Sequence, residues 1–202
     1  GAWVHVDGAF GLWAAASPAT ARQVAGVGEA DSWATDAHKW LNTTYDCGIA
    51  LVRDRGALRS AMGTSAAYLP PDSDTEPMNL TPQSSQRARG IEVWAALAFL
   101  GRDGLAELVN RTCRLARRFA AGMAEAGHDV LNDVVLNQVV VAFGDASRTD
   151  ALIAALQDDG TCWCGPTTWR GRRAMRVSVS CWNTTEDDID ASIAAVRACA
   201  GR

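Results

Sequence analysis

Two short motifs place an acid and an amine where they could share one ligand. Asp7 follows the apolar run at 3–6, and Lys39 lies in the motif Asp36-Ala37-His38-Lys39-Trp40, one helix-sized segment later. Each motif follows a predicted strand, and such strands deliver side chains to one edge of a sheet. A carboxylate and an amine that converge on a flat ligand are the pair that pyridoxal phosphate requires. The amine forms an imine with the cofactor, and the acid keeps the ring nitrogen protonated.

Lysine is the rare basic residue of this chain. Of 19 basic residues, only Lys39 is a lysine, and the others are arginines. Any step that needs a side-chain primary amine therefore needs Lys39. The alternatives are a surface lysine and, for Asp7, an acid that only caps a turn before glycine. The pairing of both residues in ordered motifs disfavours these alternatives.

Composition excludes several classes of function. The net charge of −4 offers no basic field for nucleic acid, and no apolar window reaches the roughly 18 residues of a membrane span. The six cysteines lack the spacing of a disulfide framework or a zinc site, so we expect a reducing cytoplasm and no metal. No signal peptide precedes the first predicted strand, and we expect the chain to be cut from a longer one.

The hydrophobic pattern predicts alternating strands and helices. A long proline-rich segment at 62–85 is expected to be a loop of functional importance. Helices at 87–100 and 105–126 should be separated near Gly101. The predicted strands are 3–6, 32–35, 48–53, 134–143, 162–169 and 174–180, and further helices are expected at 18–25, 149–157 and 185–200.

At the two motifs the sequence resembles a known family. His5-Val6-Asp7-Gly8-Ala9-Phe10 resembles the H-V-D-A-A-[YF] segment of the group II pyridoxal-phosphate decarboxylases, which act on aromatic amino acids, glutamate and diaminobutyrate. Residues 36–41 resemble the family's x-x-H-K-W-[LM] segment, and the likeness continues through 45–47, 68–69 and 87–94. It implies an α/β, fold-type-I transferase-like fold. Residues 1–104 would form the C-terminal part of the large cofactor domain, and 105–202 a linking helix and a small α+β domain.

The resemblance implies roles around the cofactor. Lys39 would form the imine, Asp7 would pair with the pyridinium nitrogen, and Ala9 would pack against the ring face. His38 is implied at the cofactor phosphate with Asp36 nearby. Relatives carry asparagine at the position of Asp36, so a carboxylate near the phosphate is a departure.

Three further residues are implied on the substrate side. His5 would lie near the substrate carboxyl group. Tyr68 falls on the loop where family decarboxylases keep a tyrosine that reprotonates the substrate α-carbon, although it could instead anchor the loop. Gln86 stands where many relatives have an arginine, so Arg87 would bind the substrate carboxylate by a shift of one residue.

The resulting hypothesis is a pyridoxal-phosphate-dependent carboxy-lyase for an L-amino acid, cytoplasmic and homodimeric. Two alternatives stay open. The first is an aminotransferase or a cysteine-type lyase of the same fold. The second is a non-catalytic truncated product or an oligomerisation module, since the family's N-terminal half supplies the histidine that stacks on the ring and the serine and threonine that hold the phosphate.

Overall fold

The chain forms two compact units in a computed structural model that describes residues 1–63 and 76–201. Unit 1 comprises Gly1–Leu12 and Ala25–Phe99, and unit 2 comprises Trp13–Val24 and Leu100–Arg202. Among the residues so described, no helix has both the length and the apolar character needed to cross a membrane. The assignment of 1–104 to a cofactor domain stays a prediction.

Unit 1 is built on a three-stranded sheet. Its strands are β1 (His5–Asp7), β2 (Ser32–Asp36) and β3 (Gly48–Val52), in the order β1-β2-β3. The first pair is parallel and the second is antiparallel. Three strands were predicted here, and the structure confirms them with bounds shifted by one or two residues. Helix α1 (Arg55–Met62) follows β3, with the Asp54 carboxylate accepting hydrogen bonds from the first turn.

The prediction of one helix over 18–25 is wrong in its bounds and in the type of helix. The structure has short 3₁₀ helices at Gly11–Ala16 and Ala21–Val24 instead. The Thr20 hydroxyl donates to the Ala14 carbonyl at 2.8 Å, and the Ser17 hydroxyl accepts from Ala19 N at 3.2 Å. Such local side-chain bonds compete with the α-helical ladder.

Helix α2 (Arg89–Glu125) contains both helices predicted for this region. Gly101 interrupts it with φ 61° and ψ −172°, a conformation that glycine adopts readily. The predicted break at Gly101 is therefore confirmed. The residues of α2 up to Phe99 belong to unit 1, and those from Leu100 onward belong to unit 2.

Unit 2 carries a four-stranded antiparallel sheet and two further helices. Strands β4 (Asp129–Val130), β5 (Gln138–Ala142), β6 (Gly165–Trp169) and β7 (Arg172–Ser178) are arranged in the order β4-β5-β7-β6. Helices α3 (Ala146–Asp159) and α4 (Glu186–Ala200) pack with α2 and this sheet around one core. Its most deeply buried side chains include Phe119, Met123, Val139, Val141, Leu156, Met175 and Val196.

Candidate functional site

One face of the unit 1 sheet gathers the polar residues singled out in the sequence. Side chains two positions apart in a strand project from the same face, so His5 and Asp7 share a face of β1. In the parallel pair, His5 lies opposite Ser32 and Asp7 lies opposite Ala34. Asp36 follows two residues later on β2. We call this surface the site face; it consists of His5, Asp7, Ser32, Ala34, Asp36, Gly48 and Ala50.

Small side chains form the floor between the acids of the site face. Ala34 lies opposite Asp7 on one side and Ala50 on the other, and Gly48 lies opposite Asp36. A Cβ atom at Gly48 would lie 3.7 Å from the Asp36 carboxylate, so glycine leaves the space beside this carboxylate open. A flat ring could therefore approach the sheet beside Asp7.

The Lys39 amine lies at the site face. Its Nζ atom is 2.7 Å from Asp36 Oδ2 and 5.6 Å from the centre of the Phe10 ring. Trp40, only 1% exposed, anchors this segment and packs against Phe10 with ring centres 6.0 Å apart. The Lys39 side chain keeps 37% of its surface accessible, so an incoming aldehyde can reach it.

A backbone hydrogen bond joins the two motifs directly. Asp36 N donates to the Ala9 carbonyl at 3.2 Å, and Gly8 N donates to the Ala34 carbonyl at 2.8 Å. Asp7 Oδ1 accepts from Ala9 N at 3.1 Å and so closes the turn after β1. A Cβ atom at Gly8 would lie 2.7 Å from Leu12 Cβ, which explains glycine at this position. The turn thus holds Asp7 and Ala9 beside the end of β2.

His38 is fixed by the neighbouring turn at 45–47. Its Nδ1 atom lies 2.9 Å from Cys47 N and 3.0 Å from Cys47 O. Nδ1 can accept from the Cys47 N–H or donate to the Cys47 carbonyl, so either neutral tautomer bonds this turn. The Tyr45 ring packs against the imidazole with centres 4.4 Å apart. The role of His38 at a phosphate stays a prediction.

Two arginines at the start of α2, Arg87 just before it and Arg89 as its first residue, bind the same turn. Arg89 donates to the Asp46 carbonyl at 2.8 Å and to its carboxylate at 3.0 Å. The hydrogen bond from Arg89 lowers the pKa of the Asp46 carboxyl group below its ordinary value. Arg87 donates to the Asp46 carbonyl at 3.1 Å and lies 3.6 Å from Glu92. Arg87 therefore already has protein partners, and its predicted contact with a substrate stays a prediction.

An open cavity adjoins this turn within unit 1. Its volume is about 840 Å³, and Gly48, Arg87 and Arg89 are among the residues that line it. Gln86, also in the lining, donates to the Thr81 hydroxyl at 2.9 Å. Tyr68, the predicted proton donor, lies outside the described residues.

Sequence reasoning missed two residues of this region. Ser32 is buried in β2 and binds the His5 ring, and Asp46 is the shared partner of two arginines. No local pattern marks Ser32, because its role depends on the register between β1 and β2. Asp46 lies in the segment 45–47, and the likeness of this segment to the family was the one sequence feature that could have marked it as part of the site.

Comparisons with known proteins agree with this description. Residues 1–143 match the family profile described as the pyridoxal-dependent decarboxylase conserved domain. Histidine decarboxylase of Drosophila melanogaster is 29% identical over 193 residues, covering 93% of this chain and 23% of that protein. Tyrosine decarboxylase 2 of Arabidopsis thaliana is 26% identical over 203 residues, covering 94% of this chain and 37% of that protein.

Solved structures share the fold. The crystal structure of Oryza sativa TDC with PLP and tryptamine has a TM-score of 0.91 at 22% identity, covering 99% of this chain and 44% of that one. The crystal structure of mouse CSAD has a TM-score of 0.88 at 20% identity. These likenesses confirm the predicted fold-type-I α/β class. The chain spans less than half the length of these relatives.

Proposed function

The chain belongs to the pyridoxal-dependent decarboxylase family, and from this premise we propose that it is part of an enzyme that binds pyridoxal 5′-phosphate and releases the carboxyl group of an L-amino acid as CO2. The observation that carries the proposal is that Asp7 and Asp36 lie on one face of the sheet, with the Lys39 amine 2.7 Å from Asp36. The same face offers a floor of small side chains.

The residues of the site face fit this cofactor. Lys39 supplies the primary amine that would hold it, and Asp7 supplies the carboxylate that would face its ring nitrogen. When bound, the cofactor supplies an electron sink for the electron pair left on the substrate when its carboxyl group departs. Ala9, in the turn after Asp7, is proposed at the ring face, and His38 at the phosphate. Asp7 would hold a proton on the ring nitrogen, because an adjacent negative charge favours the cationic form.

The remaining site residues are proposed to handle the substrate and its protons. The Lys39 amine must lose a proton before it can bond to a carbonyl carbon, and Asp36 holds this amine in place beforehand. His5 shares the face of Asp7 and would face the substrate carboxyl group. Tyr68 would return a proton to the substrate α-carbon, and Arg87 would contact the substrate carboxylate. These roles follow the family resemblance.

We propose that the enzyme acts as a cytoplasmic homodimer. In support of a dimer, Ile91, Trp94 and Phe99 of α2 are 67%, 71% and 89% exposed. Exposed apolar side chains that cluster on one element are typical of a surface covered in an assembly. In support of the compartment, the six cysteines are free thiols.

The test is the product balance of the full-length protein loaded with pyridoxal phosphate. Carboxyl-labelled L-histidine, L-tyrosine and L-tryptophan are supplied, and labelled CO2, amine and keto acid are measured together. The proposal predicts CO2 and amine in equal amounts for at least one substrate. Lys39→Arg, which keeps the charge but cannot form the imine, should abolish the release.

Other product balances favour the alternatives. Keto acid without CO2 would identify an aminotransferase. A protein that takes up the cofactor but yields neither product would be a non-catalytic member of the family. Either result contradicts the proposed activity.

A further inference from the structure

A chain of hydrogen bonds ends at His5 on the site face. The Trp3 indole nitrogen lies 2.8 Å from Ser32 Oγ, and the same oxygen lies 2.7 Å from His5 Nδ1. Ser32 is 8% exposed and lies opposite His5 in the parallel register. None of the roles proposed above uses Trp3 or Ser32.

The direction of these hydrogen bonds follows from the chemistry of the groups. An indole N–H can only donate, so Ser32 Oγ accepts from Trp3. The hydroxyl has one hydrogen of its own, and among the described residues its hydrogen bonds offer one acceptor, His5 Nδ1 at 2.7 Å. If Nδ1 carried a hydrogen, the buried hydroxyl would accept twice and its own hydrogen would lack an acceptor. Nδ1 is therefore without a hydrogen in the neutral ring, and the ring hydrogen lies on Nε2.

We infer that Ser32 is a positioning residue that fixes the tautomer and orientation of His5, with Trp3 setting the direction of its hydroxyl. The consequence for the site is that His5 presents an N–H donor at Nε2. A donor suits a carboxylate, whereas the lone pair of the opposite tautomer would repel one. The consequence for the substrate carboxylate rests on the proposed function, but the tautomer itself does not.

The tautomer can be measured without cofactor or turnover. Long-range ¹H–¹⁵N spectra of protein with ¹⁵N-labelled histidine distinguish Nε2–H from Nδ1–H rings, at a pH where the rings are neutral. The chain has three histidines, and a His5→Gln sample assigns the signal. We expect His5 to show the pure Nε2–H pattern in the wild-type protein.

Four variants separate positioning from simple packing. Ser32→Thr keeps the hydroxyl and should keep the pure pattern, whereas Ser32→Ala should give an averaged one. Trp3→Phe removes only the indole donor and leaves Ser32 in place. It should also give an averaged pattern, because the indole no longer fixes the rotation of the hydroxyl, which can then turn its hydrogen away from His5 Nδ1. Ser178→Ala, in unit 2, is the control and should change nothing.

The kinetic consequence is measured separately on the full-length loaded enzyme. Ser32→Ala should raise KM for the amino acid on the order of fivefold to tenfold, as partial loss of a hydrogen bond to a charged group implies, with a smaller change in kcat. Ser32→Thr should restore KM.

Each outcome is decisive. An Nδ1–H pattern in the wild-type protein, or an unchanged pattern in both Ser32→Ala and Trp3→Phe, overturns the inference. A changed pattern with an unchanged KM overturns the role in substrate binding. If the wild-type enzyme releases no CO2, the proposed function fails, and the spectra alone still decide the positioning of His5.

Discussion

Replacement of Asp36 by asparagine should make Lys39 react faster with aldehydes. The Asp36 carboxylate lies 2.7 Å from the amine and forms an ion pair with it. Only the neutral amine attacks a carbonyl carbon. Asparagine has nearly the same shape but no charge, so the substitution removes the ion pair and leaves the local packing in place.

The size of the effect follows from the exposure of the pair. The side chains of Asp36 and Lys39 are 25% and 37% exposed, so solvent screens the interaction. Partly exposed pairs of this kind contribute roughly 0.2–1 kcal/mol. Asp36→Asn removes that energy from the resting ion pair, and the initial rate of imine formation should rise by about 1.4-fold to 5-fold.

The assay follows imine absorbance after mixing with an excess of aldehyde. Pyridoxal, which has no phosphate, reports the change at the amine alone. Pyridoxal phosphate should show a larger gain, because Asp36→Asn also removes a negative charge proposed to lie near the phosphate. Lys39→Arg supplies the background rate, and Asp31→Asn makes the same charge change before the start of β2. An Asp36→Asn rate with pyridoxal at or below the wild-type rate would refute the reasoning.

Three further predictions concern unit 2. Gly122→Ala should lower the free energy of unfolding by about 1–3 kcal/mol, because the new Cβ would lie 2.5 Å from Ile193 Cδ1. Chemical denaturation measures this loss. The double variant with Ile193→Val, which lacks the Cδ1 atom, should recover part of it. Thr185→Ala should lower the free energy of unfolding by about 0.5–2 kcal/mol, because it removes the capping box of α4. Thr185→Ser keeps the hydroxyl and should change the free energy of unfolding little. Equal losses in both variants would contradict the role of the cap. Burial, reinforced by nearby arginines, lowers the pKa of His128 from its ordinary value of 6.5, so its neutral form is favoured in the folded state. The stability that depends on neutral His128 is therefore present above about pH 6.5 and lost as the pH falls. Denaturation midpoints between pH 7.5 and 5 should fall more steeply in the wild-type protein than in His128→Asn. Parallel curves for the two proteins would contradict the lowered pKa of His128.

The positions of Asp7 and Lys39 could be predicted from sequence for physical reasons. Each follows a short predicted strand, and parallel strands meet at their carboxyl ends, so the motif order already implies one shared edge. The scarcity of lysine then leaves Lys39 as the side-chain amine. The register that places His5 opposite Ser32 was not predictable, because it depends on contacts between residues far apart in sequence.

The contacts of Arg87 and the bounds of β5 were not predictable for similar reasons. Arg87 was expected to bind a substrate, but its contact with the Asp46 carbonyl depends on how the 45–47 turn lies against α2. The strand predicted at 134–143 is shorter, Gln138–Ala142, because the Asn132 amide side chain bonds Gln138 O and Val140 N. Apolar composition alone does not reveal such a side-chain bridge.

The central claim is that the Lys39 amine bonds covalently to the cofactor beside Asp7. It is tested most directly by sodium borohydride reduction of the full-length protein loaded with pyridoxal phosphate, followed by peptide mapping. We expect a stable phosphopyridoxyl group on the peptide that contains Lys39, and its loss in Lys39→Arg. A label found only on other amines, or no label at all, would contradict it.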